Sequence, residues 1–322
     1  MASLSEAVVV RPYRAGDETA INEAFDAVFG LQRPLAEWAW KFQSEPEGRW
    51  IYLAEDGAGR LLACYGALPV RFRLGELVVR AGQPVDVFSV PEARRSGVFT
   101  RCYEEFIRAF GNPGDLPLMF GFPGGVHYGM GLKLLRYVAM RPVPLWRRSV
   151  RAGWPSLLGR PAVTHGFDRQ TSDALWSRAA GRYPFAAVRD ATWLQRRYTA
   201  RPNVEYRHVY VRRSDLPRAW GVARLQGGAL HVADLVWDGE DPRDLEALDR
   251  AFASLARRAG APRLEMWLGG DAAATEVLAD RGWVRLPDPP DLGMVGRAFH
   301  PAIDLAEVGR RVYLTMGDSD LV

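Results

Sequence analysis

The chain has 322 residues, 48% of them hydrophobic, which is long for one domain of ordinary size and enough to fill two cores. Its 42 basic and 38 acidic residues are interspersed and leave a net charge of only +4, which argues against a nucleic-acid-binding surface. No leader-like N-terminus and no apolar run of about 18 residues is present, so we expect a soluble cytoplasmic protein without a membrane partner. The two cysteines, Cys64 and Cys102, lack metal-site or disulfide spacing, and no metal is expected.

The first 145 residues alternate short strands with helices. Apolar periodicity and turn residues predict strands at 8–11, 50–54, 61–68, 77–80, 86–90, 117–122 and 137–142, and helices at 18–29, 34–42, 99–110 and 126–135. With the strand at 77–80 counted as an extension of the meander before 86–90, the order is β-α-α-β-β-β-α-β-α-β.

The most informative segment joins the strand at 86–90 to the helix at 99–110. Pro91 ends the strand, and a short Arg/Gly loop opens directly into the helix. Backbone N–H groups and the positive end of a helix attract anions, and Gly97 has no side chain to keep a diphosphate away from them. The segment therefore predicts a phosphate-binding loop, with an ordinary strand-to-helix turn as the alternative. Its predicted binding residues are Arg94, Arg95, Ser96, Gly97, Val98 and Phe99.

Pro91, Arg94 and Gly97 resemble the acyl-coenzyme A loop of the Gcn5-related N-acetyltransferases (GNAT), which reads Gln/Arg-x-x-Gly-x-Gly/Ala. Phe99 stands where Gly or Ala is usual, but branches with tandem domains carry a large residue there. The predicted element order is also that of the family. The resemblance implies that acetyl-CoA binds here, and that backbone amides of the strand polarise its thioester carbonyl. The strand residues concerned are Phe88, Ser89 and Val90.

Acyl transfer to an amine also needs an acid for the leaving thiolate and a base for the incoming ammonium. The resemblance implies that Tyr128, at the start of the helix at 126–135, is the acid; a packing aromatic is the alternative. Asp86 is a candidate base because burial in its apolar strand would raise its pKa, with a structural role as the alternative. In the tandem branch the C-terminal carboxylate can be the base. The further candidate bases are His127, Asp318, Asp320 and the carboxylate of Val322.

The second half of the chain repeats the first in weakened form. Trp38-x-x-Lys41 and Trp193-x-x-Arg196 are each followed by a proline and two strands, with a period of roughly 155 residues. The loop at 238–244 carries four carboxylates where the first half has its arginines, so it would repel a diphosphate. We predict an α+β fold of two tandem GNAT-like domains, each a mixed, mostly antiparallel sheet flanked by helices. Residues 1–145 would bind acyl-CoA, and residues 146–322 would form a degenerate domain after a connector at about 146–163.

These features predict an acyl-CoA-dependent N-acyltransferase that uses acetyl-CoA and a small primary amine by direct attack on the thioester. The degenerate domain either shapes the substrate side or only covers a sheet edge. Two other functions are open: an aminoacyl-tRNA-dependent transferase of the peptidoglycan-bridge type, and a non-catalytic acyl-CoA-binding protein. A homodimer is compatible with the sequence, and the sequence does not identify the amine.

Overall fold

The computed structural model describes residues 8–43, 50–150, 162–289 and 292–320. The chain divides into two compact units, each with a mixed sheet flanked by helices, as predicted for tandem GNAT-like domains. The first unit comprises Met1–Arg71, Val79–Met140 and Gly293–Ala306, and the second comprises Phe72–Val78, Arg141–Leu292 and Glu307–Val322. No helix in the described parts of the chain is long and apolar enough to span a membrane.

The elements up to residue 150 are β1 (Val9–Pro12), α1 (Glu18–Phe29), α2 (Leu35–Gln43), β2 (Trp50–Glu55), β3 (Leu61–Leu74), β4 (Leu77–Ser89), α3 (Val98–Phe110), β5 (Leu118–Gly121), α4 (Gly125–Leu134), β6 (Val138–Pro142) and β7 (Leu145–Ser149). The later elements are β8 (Ala162–His165), α5 (Arg169–Ala179), β9 (Phe185–Ala187), α6 (Ala191–Leu194), β10 (Arg207–Arg213), β11 (Leu216–Gln226), β12 (Ala229–Trp237), α7 (Pro242–Arg258), β13 (Arg263–Gly269), α8 (Ala272–Asp280), β14 (Val284–Arg285), β15 (Gly293–Ala298), α9 (Leu305–Arg311) and β16 (Leu314–Thr315).

The sheet of the first unit has the strand order β1-β2-β3-β4-β5-β15-β6. Strand β4 is parallel to β5, whereas β1, β2 and β3 pair antiparallel. The strands predicted separately at 77–80 and 86–90 are one strand, β4. The predicted domain boundaries also differ from those of the two units. Gly293–Ala298, near the end of the chain, pairs antiparallel with β5 and so belongs to the first unit.

The sheet of the second unit has the order β14-β7-β13-β12-β11-β10-β8, and β16 pairs with β13. The predicted connector at 146–163 is wrong at both ends, where the chain forms β7 and β8. Strand β7 accommodates two adjacent arginines because each has an acidic partner: Arg147 Nε lies 3.0 Å from Glu265 Oε1, and Arg148 pairs with Asp249. The middle of that connector, 151–161, lies outside the described residues.

Two apolar clusters lie on opposite faces of the first sheet. The α3 cluster contains Tyr103 and Phe106 of α3, and the α1–α2 cluster contains Ile21 and Trp38. Strand β2 shows the division, because its alternate residues at 50, 52 and 54 join the α3 cluster while those at 51 and 53 join the α1–α2 cluster. A residue's cluster therefore tells which side of the sheet it faces.

Both cysteines are buried and free, as predicted. Burial raises the pKa of Cys102 to about 12, so its thiol is protonated near neutral pH. In the described parts of the chain no three histidine, cysteine or acidic side chains lie close enough together to bind a metal ion.

Gly66 of β3 packs closely against β4, and a substitution at this position tests the packing between these two strands. An added Cβ at Gly66 would lie 2.8 Å from the carbonyl oxygen of Val85 on β4. We expect Gly66→Ala to lower the free energy of unfolding by about 1–3 kcal/mol in urea titrations, because the backbone must shift. The matched control is Gly129→Ala in α4, where an added Cβ meets nothing within 4 Å. It should be neutral or stabilise by up to about 1 kcal/mol, and equal destabilisation of the two variants would contradict the prediction.

Candidate functional site

Strand β4 contains a β-bulge at Asp86. Asp86 has a φ of +51°, a conformation that non-glycine residues rarely adopt. Val85 and Phe88 pack in the α1–α2 cluster, and the Asp86 side chain also faces this side, whereas Val87 packs on the α3 cluster. Two consecutive side chains therefore point to one face, which is how a bulge breaks the alternation of a strand.

The bulge lies where β4 separates from β5. The parallel pairing joins Ala81 to Leu118 and Gly82 to Met119 and does not extend to the bulge. Between the paired residues and the bulge, Pro84 has no N–H to donate to β5. The two strands are still side by side at Pro84, whose Cδ would lie 3.5 Å from a Cβ added at Gly121, so the gap between them begins on the carboxyl side of Pro84.

One predicted carbonyl-binding amide faces this gap. The Val90 N–H donates to the Leu62 carbonyl on β3 at 2.9 Å, so it is not free for a ligand. This corrects the prediction for the Val90 amide. Successive N–H groups of a strand point to opposite edges, and the Ser89 N–H therefore points towards the β5 side. The Phe88 ring is buried in the α1–α2 cluster.

Asp86 is fully ion-paired. Its Oδ2 accepts a hydrogen bond from Arg33 Nη1 at 2.7 Å, and its Oδ1 accepts one from Lys41 Nζ at 2.8 Å. The side chain is completely buried, and Arg33 Nε is held in turn by Asn22 Oδ1 at 2.7 Å. This geometry favours the structural alternative for Asp86, because both carboxylate oxygens are occupied. The sequence analysis missed both cations, although Lys41 belongs to the repeated Trp-x-x-Lys motif.

The loop after β4 has the conformation that a phosphate-binding turn needs. Arg95 has a φ of +66°, and Gly97 has a φ of +80° at the N-cap of α3. The Ser96 hydroxyl donates to the Ala93 carbonyl at 2.6 Å and so closes the turn. An added Cβ at Gly97 would meet nothing within 4 Å, which leaves open space in front of the backbone.

The start of α3 presents free donors and positive charge to this space. Within the described chain the N–H groups of Gly97, Phe99 and Thr100 donate to no acceptor, and the N-cap residue Gly97 has no side chain to cap the helix; only the Val98 N–H meets a side chain, the Ser96 hydroxyl at 3.4 Å. Arg94 and Arg95 are exposed, and neither forms an ion pair with a described residue. Free amides, a helix N-terminus and two guanidinium groups are the features that anion-binding sites in proteins share.

The matching position in the second unit has no such site. The Asp241 carboxylate accepts a hydrogen bond from the Arg243 N–H at 2.9 Å and so caps α7. The Arg243 side chain also donates to Asp241 and lowers its pKa to about 2. Asp238 accepts hydrogen bonds from Arg218 at 3.0 Å and from Arg178 at 3.2 Å. The acidic loop thus satisfies the helix end with the chain's own carboxylate.

Helix α4 begins beside α3. Its N-cap Gly124 also lacks a side-chain cap, and the His127 ring meets the Phe99 ring edge-on with centroids 6.0 Å apart. The half-buried Tyr128 ring packs on the α3 cluster, and its hydroxyl makes no hydrogen bond within the described chain. The structure therefore brings Tyr128 close to the phosphate-binding loop and leaves its hydroxyl available. Asp86 lies on the other face of the sheet.

The family model of the acetyltransferase (GNAT) domain matches residues 9–129, which contain the bulge, the loop and Tyr128. Residues 9–129 of this chain therefore form a GNAT domain. Acyl transfer is the class of reaction that this domain supports.

Two solved structures share the fold of this chain. A probable N-acyltransferase of unknown function from Enterococcus faecalis V583 aligns with a TM-score of 0.73 and 13% identity, over 91% of this chain and 73% of its own. A GCN5-related N-acetyltransferase from Anabaena variabilis ATCC 29413 aligns with a TM-score of 0.69 and 11% identity, over the same shares of the two chains. A search of curated proteins gives no significant match.

The remaining candidate bases lie in different surroundings. His127 is half-buried in the GNAT domain, and burial lowers its pKa, which keeps it neutral at pH 7 and able to accept a proton.

The candidate bases near the C-terminus lie elsewhere. Asp318 belongs to the second unit, where its Oδ2 accepts hydrogen bonds from Arg189 at 2.6 Å and from the Thr315 N–H at 2.8 Å. It is buried, and burial raises its pKa. Asp320 is half-buried. Val322 lies outside the described residues.

Asp86→Asn tests the structural role of the ion pairs in the GNAT domain. Asparagine keeps the shape and tolerates a positive φ, but it leaves Arg33 and Lys41 without their shared charge. We expect the free energy of unfolding to fall by roughly 3–5 kcal/mol in urea titrations. Unchanged stability together with lost turnover at neutral pH would instead identify Asp86 as the base.

Proposed function

We propose that this protein is an acyl-CoA-dependent N-acyltransferase that uses acetyl-CoA and acts on a small primary amine. The observation that carries the proposal is the uncapped start of α3, where Gly97 leaves free amides facing open space. This loop lies directly after the strand that separates from β5. A tRNA-dependent transferase does not need such a diphosphate site, and for that reason we prefer acyl-CoA.

The loop residues fit the diphosphate of coenzyme A. The N–H groups of Gly97 and Phe99 supply hydrogen bonds, and the guanidinium groups of Arg94 and Arg95 supply charge. Arginine can bind a phosphate through two parallel hydrogen bonds, which fixes its orientation as well as its position. These groups would anchor the donor while leaving its thioester free to reach the gap in the sheet.

In the proposed reaction the amine nitrogen attacks the thioester carbonyl carbon. The Ser89 N–H would stabilise the negative charge that develops on the carbonyl oxygen. The C–N bond forms, the C–S bond breaks, and the leaving thiolate takes the hydroxyl proton of Tyr128. The proton lost by the amine would pass to a base, for which neutral His127 is our candidate.

Two measurements separate this proposal from its alternatives. Acetyl-CoA should raise the melting temperature of the protein, while uncharged and charged tRNA should not. Acetyl transfer to a member of an amine panel should then be detected by thiol release. Stabilisation by tRNA alone would support the aminoacyl-transfer alternative, and stabilisation by acetyl-CoA without any turnover would support a binding protein.

Gly97→Asp tests the phosphate-binding loop. The added carboxylate would stand in front of the free amides, and we expect calorimetry to show coenzyme A affinity reduced by about 2–4 kcal/mol. The matched control is Gly59→Asp in the β2–β3 turn of the same unit. Gly59 has a φ of +79° and equally open space, so this variant carries the same backbone strain away from the loop. Equal coenzyme A affinity in the two folded variants would refute the assignment.

Tyr128→Phe tests the proposed acid. The variant keeps the ring that packs on the α3 cluster and removes only the hydroxyl, so the turnover rate should fall about ten- to a thousandfold with little change in melting temperature. Tyr52→Phe, a half-buried tyrosine packed on the same cluster, is the control and should turn over normally. A loss of stability with normal turnover would assign Tyr128 to packing.

A further inference from the structure

The second unit contains a basic pocket that the proposed reaction does not use. The pocket has a volume of about 530 Å³ and is formed around the carboxyl end of β13, the start of α8 and the end of α9. Its lining carries five arginines and a single acidic residue, Asp271. The arginines are Arg141, Arg182, Arg285, Arg310 and Arg311.

Arg141 is fixed in this pocket with part of its hydrogen-bonding capacity unused. Its Nη1 donates to the Val312 carbonyl at 3.3 Å, while its Nε is buried and has no partner. The guanidinium lies against the backbone of β13, where Gly269 makes room for it: an added Cβ would lie 2.9 Å from Arg141 Nη2. The side chain is therefore held in place before any ligand arrives.

The other arginines leave the pocket with excess positive charge. Asp271 neutralises Arg182, whose Nε lies 3.0 Å from Asp271 Oδ2. Arg310 forms no ion pair within the described chain. Within the described chain, Arg285 and Arg311 form ion pairs with acidic residues of their own segments, the exposed Asp288 and the half-buried Glu307. Exposed pairs of this kind contribute little and are readily exchanged for another anion.

Arg141 and Arg285 are close enough to repel each other. The pKa of Arg141 is lowered first by burial and then by the positive charge of Arg285. An anion bound by both guanidinium groups would offset the repulsion between their positive charges.

We propose that this pocket binds a small molecule carrying at least two anionic groups, of the diphosphate or polycarboxylate kind. Its volume lies within the range of roughly 300–1,000 Å³ that small-molecule sites occupy. Arginine is the side chain best suited to such ligands, because its planar fork matches phosphate and carboxylate oxygens in pairs. The site belongs to the second unit and is distinct from the acyl-CoA loop of the first.

The test is calorimetric titration of the full chain with inorganic pyrophosphate and, separately, citrate, at constant ionic strength and with excess coenzyme A present to occupy the loop of the first unit. We expect one saturable site per chain, with the tighter of the two ligands defining the class. Arg141→Ala combined with Arg285→Ala should weaken binding roughly a hundredfold, about tenfold for each guanidinium. Arg310→Ala, an exposed position, should weaken it without affecting the fold. The control Arg257→Ala removes an exposed arginine of the same unit outside the pocket and should leave binding unchanged.

Several results would overturn the proposal. These are the absence of saturable binding of either anion, equal weakening by Arg257→Ala, and anion binding that is seen only when coenzyme A is left out, which would assign the anion to the first unit. Tight tRNA binding lost in the pocket variants would replace the small anion with RNA. Retained coenzyme A affinity in the Arg141/Arg285 double variant keeps this test independent of the proposed transferase activity and verifies that the variant is folded.

Discussion

The buried ion pairs of Asp86 stabilise the β-bulge in β4, and the candidate site depends on this bulge. A carboxylate with no solvent contact is stable only if its charge is compensated, and Arg33 and Lys41 do this from two sides. The same contacts tie the segment around α1 and α2 to the bend in β4. Past this bend β4 is not paired with β5, and β4 leads directly into the loop that contains Gly97. The bulge thus lies between the last paired residues of β4 and β5 and the phosphate-binding loop.

The second unit uses a similar arrangement without keeping the loop. Asp234 of β12 is completely buried and binds Arg189 Nε and the Tyr198 hydroxyl, each at 2.9 Å. The pairing of β11 with β12 shifts register next to it, as a bulge requires. What differs is the helix that follows, because Asp241 caps α7 whereas α3 starts at an uncapped glycine. Whether this helix start is open or capped therefore depends on very few side chains.

Charge acts locally in this protein, and its net value is a poor guide to function. Many arginines pair with acidic neighbours, as Arg147 and Arg148 do on β7. At two places arginines outnumber the acidic residues beside them: in the loop before α3, which has Arg94 and Arg95, and in the basic pocket of the second unit, whose lining has five arginines and one acidic residue. An overall charge of +4 cannot distinguish such concentrations from an even distribution.

The sequence alone determined the element order, the two-unit organisation and the loop from Arg94 to Phe99, because turn residues, apolar periodicity and a helix start are local signals. It could not determine the role of Asp86, whose partners lie 53 and 45 residues away along the chain. Nor could the sequence place Gly293–Ala298 in the first sheet, or show that the Val90 N–H donates a hydrogen bond to β3. Only the tertiary structure decides these features, since strand pairing and buried charge compensation join segments whose proximity no local pattern encodes.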